Sequence, residues 1–328
     1  GNDLRLSEQR VEHGRNVANK IWQAARFVLA YGDNENSEFR IQNSESLELP
    51  ERWIRSQTLA ACRDVSRQLT NFQLGEAART VEDFFWGDFC DWYLESVKPR
   101  VLGAEHAARG PAAQETLRQV LALSVRLLHP FMPYVTEEIW QHLRAVQPHL
   151  PATIAIASWP GAEAGLAGAE TVLEAWDDPE ADAQMGLVIE AITAIRNLRS
   201  ERGIEPSRTL QVFVTAEELR QQAYLMDGLA NASVQPAGTD APKDAVRLFV
   251  GANIELLVGA VFDREAEQSR LNEELSAAQQ ELERAGKQLD QPGFRDRAPE
   301  HVVQKAEERL AAARERVGKL EQQLRDLG

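Results

Sequence analysis

Sulfur is scarce in this chain. Its 328 residues include 2 cysteines and 3 methionines, which excludes a disulfide framework and a thiolate-built metal centre. Cys62 and Cys90 lie inside apolar helical patterns and read as free core thiols. No CxxC or HExxH spacing occurs and the 6 histidines do not cluster, so no metal is expected. Long apolar runs are missing too. No stretch of about 18 uncharged apolar residues exists, which excludes a membrane-spanning helix. The start, Gly1-Asn2-Asp3-Leu4-Arg5, has no signal-peptide core, and cytoplasm is the expected location. Positive charge is in deficit, with 36 basic against 51 acidic residues and a net charge of −15. That balance excludes a non-specific polyanion binder. The deficit is concentrated, because residues 151–261 carry 7 basic and 16 acidic side chains and hold −9 of the −15. An anionic partner is therefore expected at the two ends of the chain. No nucleophile–base pair or glycine-rich phosphate loop is present, so no catalytic residue is expected.

What the chain does have is amphipathic helix. Residues 4–31 carry an apolar stripe at Val17, Ile21, Ala24 and Val28. Two residues out of phase, Arg15, Asn19, Trp22 and Arg26 form a second stripe that is cationic, amide-bearing and aromatic. Such a stripe suits stacking and hydrogen bonding on single-stranded RNA. It equally suits a solvated outer face with one boundary tryptophan.

After a turn-rich break at 31–37, a second helix follows Pro50, with Ile54, Thr58, Ala61, Val65, Leu69 and Phe72 on one face. A third spans about 75–97, with Ala78, Val81, Phe85, Phe89 and Trp92 inward, and ends near Lys98-Pro99. A fourth runs from Pro111 to His129, with Leu117, Leu121, Ser124 and Leu128 inward, and the His129–Pro133 stretch stops it. A fifth starts near Pro133 and turns Val135, Ile139 and Leu143 inward. Residues 152–160 read as a short extended segment closing an all-α bundle, 1–160. Beyond the loosely specified 161–180 comes a long helix, 181–201, with Gly203 as its stop. Strands at 210–214, 245–250 and 254–258 and a helix at 216–228 make a small α/β connector, so that 161–261 form the second region.

Residues 262–328 are the most regular. Leu271, Leu275, Ala278, Leu282, Ala285 and Leu289 follow four-three spacing, as do Val303, Ala306, Leu310, Ala313, Val317, Leu320, Leu324 and Leu327. A breaker-bounded loop, 291–299, separates them, which predicts an antiparallel coiled-coil hairpin. With Leu282 facing Leu310 and Leu275 facing Val317, one long flank carries six basic residues: Arg270, Arg284, Lys305, Arg309, Arg316 and Lys319. Glu281 and Glu274 oppose Arg309 and Arg316, so ion pairing competes with ligand binding as their use. Phe294 at the tip reads either as a plug under the loop or as an aromatic that stacks on a partner. A hairpin closed on itself predicts a monomer. A non-catalytic interaction module, with the coil as a dimerisation element, is the competing reading.

Several stretches carry a family resemblance: Asp3-Leu4-Arg5-Leu6-Ser7-Glu8-Gln9-Arg10-Val11-Glu12, Gly14-Arg15-Asn16-Val17-Ala18-Asn19-Lys20-Ile21-Trp22 and Ala24-Ala25-Arg26-Phe27. Further along are Phe89-Cys90-Asp91-Trp92-Tyr93-Leu94-Glu95, Leu128-His129-Pro130-Phe131-Met132-Pro133, Glu137-Glu138-Ile139-Trp140 and the tip, 292–299. Over its whole length the chain resembles the C-terminal part of the bacterial valyl-tRNA synthetases, class I aminoacyl-tRNA synthetases. The bundle motifs alone would also suit isoleucyl- or leucyl-tRNA synthetases; the hairpin, with Phe294 and Ala298-Pro299, points to the valine family. The resemblance implies a mainly α fold: an anticodon-binding bundle, a small α/β connector and a coiled-coil arm on the tRNA elbow. It implies tRNA with a valine anticodon as partner. Neither class I signature motif, His-Ile-Gly-His-like or Lys-Met-Ser-Lys-Ser-like, occurs. The family's catalytic and editing domains would precede Gly1, ATP would belong to them, and no cofactor is expected in this chain. Carried over by motif, Arg26 and Trp53 would serve the anticodon, Trp53 standing where some relatives have Phe. Arg15, Asn19 and Trp22 would be contacts or supports beside them. Arg284 and Arg309 would serve the elbow, with Phe294, Lys305 and Arg316 as further candidates.

Overall fold

The computed structural model describes residues 7–31, 47–102, 110–160, 173–237, 242, 245–251, 254–259, 264–289 and 300–327. They form two compact units, one of residues 1–241 with 247–258 and one of 242–246 with 259–328.

The first unit is a helical bundle with a small sheet. Helix α1 (Glu8–Ala30) packs against α5 (Gly110–Leu128) and α6 (Pro133–Val146), and α2 (Leu49–Thr70) packs against α5 and α7 (Pro179–Arg202). The apolar stripe of α1 is buried as its spacing requires, with Val17, Ile21, Ala24 and Val28 all under one-tenth exposed. The inward faces of α5 and α7 follow their helical period in the same way: Leu117, Leu121, Ser124 and Leu128, then Met185, Val188, Ile192, Ile195 and Leu198, are all buried. Polar residues inside these helices satisfy themselves locally. The hydroxyls of Thr58 and Ser124 donate to the carbonyls four residues back, of Ile54 (2.6 Å) and Val120 (2.7 Å).

Some expectations for the bundle fail, each for a physical reason. Phe72, placed inward by periodicity, is 89% exposed. It occupies the left-handed position that ends α2, at φ 58°, and so leaves the helical face. The third helix does not end at Pro99. It runs as α3 (Leu74–Asp83), an 11-residue π-helical segment (Phe84–Leu94) and α4 (Glu95–Leu102). Arg100, next to Pro99, is held by Glu48 and Glu51, which fastens the last turn despite the proline. The wider winding also shifts the buried stripe, so Tyr93 (0% exposed) takes the place expected for Trp92. Residues 152–160 are not extended throughout, because Ile154–Ile156 form a 3-10 turn that Thr153 caps by accepting from the Ala155 amide.

α7 begins at an Asp178 cap, whose carboxylate accepts from the Ala181 amide, and stops at Gly203, φ 62°, as expected. Arg199 then fastens the connector. Its guanidinium donates to the carbonyls of Glu205, Arg208, Ala230 and Asn231. The sheet has the order β2-β1-β4-β3, built from β1 (Leu210–Val214), β2 (Ala232–Pro236), β3 (Val246–Val250) and β4 (Ile254–Gly259). β1 and β2 are parallel, from Leu210 opposite Ala232 to Val214 opposite Pro236. The single helix expected at 216–228 is two, α8 (Glu217–Gln221) and α9 (Ala223–Ala230). β2 had no strand signal, since Ala-Ser-Val-Gln-Pro is poor in β-formers; an edge strand tolerates such a sequence and its proline.

Asp88, on the π segment, has a burial cost with no described partner. Desolvation, with Asp83 and Asp182 nearby, pushes its carboxyl from an ordinary 3.8 up to about 6. A carboxyl raised in the folded state lends stability at low pH and loses it as pH rises from about 4 to about 6. Asp88→Asn is therefore expected to stabilise the protein by about 1–2 kcal/mol at pH 7. The gain should vanish near pH 4, and urea titrations at the two pH values check it.

The second unit is the hairpin of α10 (Arg264–Leu289) and α11 (Glu300–Leu327). Its seam buries Leu271, Ala278, Val317 and Leu320, with Leu275, Leu282 and Leu324 packed against them. The expected register is displaced by about one turn. A carbon built on Gly286 would lie 4.0 Å from Leu310, where Leu282 was expected opposite. Glu281 is 3.6 Å from Arg316, where Arg309 was expected. Reversing one helix reverses the order of its seam positions, so an a layer meets a d layer rather than another a layer.

Candidate nucleic-acid interface

Side chains of α1, the π segment and α4, with His142 of α6, line an open cleft of about 730 Å³. Its floor is small and apolar: Ala24, Ala25, Cys90 and Leu94 are each under one-tenth exposed. Small residues on α1 leave room for a flat group there. Burial pushes the Cys90 thiol up to about 12, so it is a wall atom and not a nucleophile.

Aromatic and cationic groups surround that floor. The Lys98 ammonium lies 5.7 Å from the centre of the Phe27 ring, and Tyr31 lies 5.0 Å from it on the helix surface. Trp22 meets His142 edge-on at 5.9 Å, with planes at 61°. Lys20 sits 3.8 Å over the Trp86 ring and donates to Asp91 at 2.7 Å. Lys98 is paired with Glu95 one turn back. Two of the three cations thus have carboxylate partners, and the third, Arg26, is exposed with no partner among the described residues. Among the described residues the arrangement offers the Arg26 guanidinium for a phosphate or a base edge, beside a part-exposed ring that a flat base can stack on.

The expected site residues fall into distinct places. Arg26 and Trp22 line the cleft. Asn19 and Arg15 are exposed on α1 but do not line it, and Arg15 pairs with Glu12 at 3.4 Å. Trp53 is a correction: at 4% exposure its ring is part of the α2 core and has no free face for stacking. Phe27, Lys20, Lys98 and His142 line the cleft and were not singled out. Phe27 lay within a quoted motif, but its neighbours Arg26 and Val28 defined the two faces of the helix and Phe27 sits on the border between them.

On the hairpin, Arg284, Lys305, Arg309, Arg316 and Lys319 are all exposed. Arg316 is used by Glu281, and Lys319 by Glu315 one turn back at 2.7 Å. Arg284, Lys305 and Arg309 have no ion-pair partner among the described residues. Phe294 and the side chain of Arg270 lie outside the described residues.

Known proteins match both units. The family profile of the anticodon-binding domain of tRNA ligase matches residues 51–214, and that of the valyl tRNA synthetase tRNA binding arm matches 263–328. The valine–tRNA ligase of Symbiobacterium thermophilum is 38% identical over 99% of this chain and 37% of its own length. That of Carboxydothermus hydrogenoformans is 38% identical over 95% of the chain and 34% of its own length. That of Thermotoga maritima is 33% identical over 100% of the chain and 36% of its own length. The chain therefore spans about a third of the length of the curated relatives it matches. Helix α1 precedes the matched anticodon-binding range but falls within the Thermotoga maritima match, which covers 100% of the chain. The chain belongs to the anticodon-binding domain family of the tRNA ligases and carries the tRNA-binding arm of the valyl-tRNA synthetases.

Proposed function

We propose that the chain is the tRNA-recognition region of a cytoplasmic valine–tRNA ligase. The bundle reads a valine anticodon at the α1 cleft, and the arm grips the tRNA elbow through Arg284 and Arg309. ATP-dependent attachment of valine belongs to catalytic sequence of the same enzyme, and this region works as a monomer that selects and holds the tRNA. The observation that carries the reading is the meeting, in one cleft, of an Arg26 that has no partner among the described residues with the part-exposed Phe27 ring over a floor of small residues. Electrostatic contact with phosphates and stacking of unpaired bases are the means by which proteins read single-stranded loops. The net charge of −15 makes this a local fit rather than a general affinity for polyanions.

Binding of tRNA carrying a valine anticodon is expected to weaken steeply with salt and to fall when the anticodon is exchanged. Indifference to the exchange would remove the bundle's assigned role. Arg284→Ala with Arg309→Ala should weaken binding about tenfold, lower the salt slope by about two, and leave anticodon preference intact. A double mutant that binds like wild type would reduce these arginines to surface solubility.

A further inference from the structure

Three contacts join α1 to the long helix beside it, and their spacing differs on the two sides. His13 Nε2 lies 2.8 Å from Glu82, Lys20 Nζ lies 2.7 Å from Asp91, and Phe27 lies under the Lys98 ammonium. Residue numbers rise together, so the two helices run parallel. On α1 the teeth are seven apart twice, which is about two turns of α-helix each time and keeps them on one face. On the partner the steps are nine, then seven. In an α-helix residues nine apart lie on opposite faces, at about 100° per residue. The first step crosses the π segment Phe84–Leu94. Its i→i+5 winding takes roughly 4.4 residues per turn, so nine residues again make two turns. The π segment converts a nine-residue step into the register of a seven-residue one.

In the central tooth the lysine is the covered partner, while Asp91 is 56% exposed. Lys20 is 24% exposed in its side chain, and its ammonium is held between the Asp91 carboxylate and the face of Trp86. Both partners come from the π segment, and Lys20, Asp91, Phe27 and Lys98 all line the cleft.

We propose that Lys20 is a positioning residue for base recognition: clamped between Trp86 and Asp91, it locks α1 to the π segment in the one register that presents Arg26 and Phe27 across the cleft from Glu95 and Lys98. It acts on the RNA through those residues and does not touch it. This rests on the cleft being the base-reading site. The buried stripe of α1 fixes the helix against α5 and α6, and the polar clamp adds a directional contact on the side that faces the π segment. Cation–π contact of a partly desolvated lysine with Trp reinforces the ion pair and makes it directional.

The test uses the whole chain and two RNA stem-loops, one with a valine anticodon and one with that anticodon exchanged. Lys20→Met keeps the aliphatic stem and loses the clamp. It should weaken the valine stem-loop about tenfold and the exchanged one little, with an unchanged salt slope. Lys20→Arg restores the cation and should recover most of the selectivity. Trp86→Leu keeps the ion pair and removes the ring, and should give an intermediate loss; it also serves if Lys20→Met melts at a lower temperature than can be assayed. A uniform loss on both stem-loops, with the salt slope lower by about one, would make Lys20 a phosphate contact and overturn the proposal. So would selectivity unchanged in Lys20→Met and Trp86→Leu. Wild-type protein that fails to tell the stem-loops apart would instead remove the base-reading role of the cleft itself.

Discussion

Replacing Arg100 with alanine is expected to destabilise the bundle by about 3–5 kcal/mol, a large share of the stability of any domain. Arg100 is 4% exposed and donates to both oxygens of Glu51, at 2.7 and 3.2 Å, and to Glu48 at 2.9 Å. Glu51 itself is 0% exposed, and the Tyr93 hydroxyl, 3.4 Å away, is its other neighbour. Burial pushes the Glu51 carboxyl up, and the Arg100 guanidinium is the main force pulling it back. Without Arg100 the buried carboxylate loses the guanidinium that holds it ionised, and it takes up a proton. The defect should therefore be worst at neutral pH and shrink as pH falls toward the ordinary carboxylate range, because a carboxyl raised in the folded state loses stability as pH rises. Urea unfolding at pH 7 and pH 4.5 measures both. Removing the pair together, Arg100→Leu with Glu51→Leu, should recover most of the loss, since it is the orphaned charge and not the missing bond that costs. A single-mutant loss under about 1 kcal/mol would mean that water reaches Glu51.

Phe27→Leu should separate recognition from folding. Leucine fills most of the space of the phenyl ring but has no π-face. Loss of one stacked base is worth about 1–3 kcal/mol, about 5- to 150-fold in affinity. The drop is expected for RNA with a valine anticodon, read by fluorescence anisotropy at fixed salt, with a melting temperature within a few degrees of wild type. Affinity within twofold of wild type would take the ring out of the interface and leave Arg26 and Trp22 as the base-facing candidates of α1 among the cleft residues.

The helices were legible because burial on one face imposes a period that residue types record. α1, α2, α5 and α7 follow it, and their stops, such as Gly203, are local chemistry. The π segment was not legible. Phe85, Phe89 and Trp92 have ordinary helical spacing, and nothing in Phe-Phe-Trp-Gly-Asp-Phe-Cys-Asp-Trp-Tyr-Leu announces wider winding. Phe72 misled for a related reason, since a periodic apolar residue at a helix end can belong to the cap. The candidate site was half legible. Arg26 and Trp22 stood out as a polar stripe, but Lys20, Phe27 and Lys98 become partners only when two helices are set side by side. Trp53 shows the converse. An aromatic carried over by motif looks like a recognition residue until the core is seen to hold it. On the hairpin the heptads named the seam, while the register needed the reversal of one helix to be followed through.

The seam between α2 and α7 has a consequence for how the chain is made. Arg52 grips Asp178 at 2.7 and 3.0 Å, and Ser56 and Gln57 both donate to Asp182 at 2.8 Å. Arg52 and Asp178 are 126 residues apart in sequence. Closing a loop of that length carries an entropic cost of about 4 kcal/mol before any contact returns it. On a ribosome adding roughly 5–20 residues per second, α2 waits about 6–25 s for α7 to be synthesised. The row that waits is Arg52, Ser56 and Gln57, with Arg63 further along awaiting Asp177. Water solvates these groups well in the interval. A seam closed by charge and amide is thus suited to an element that must stand half-finished while its partner is still being translated.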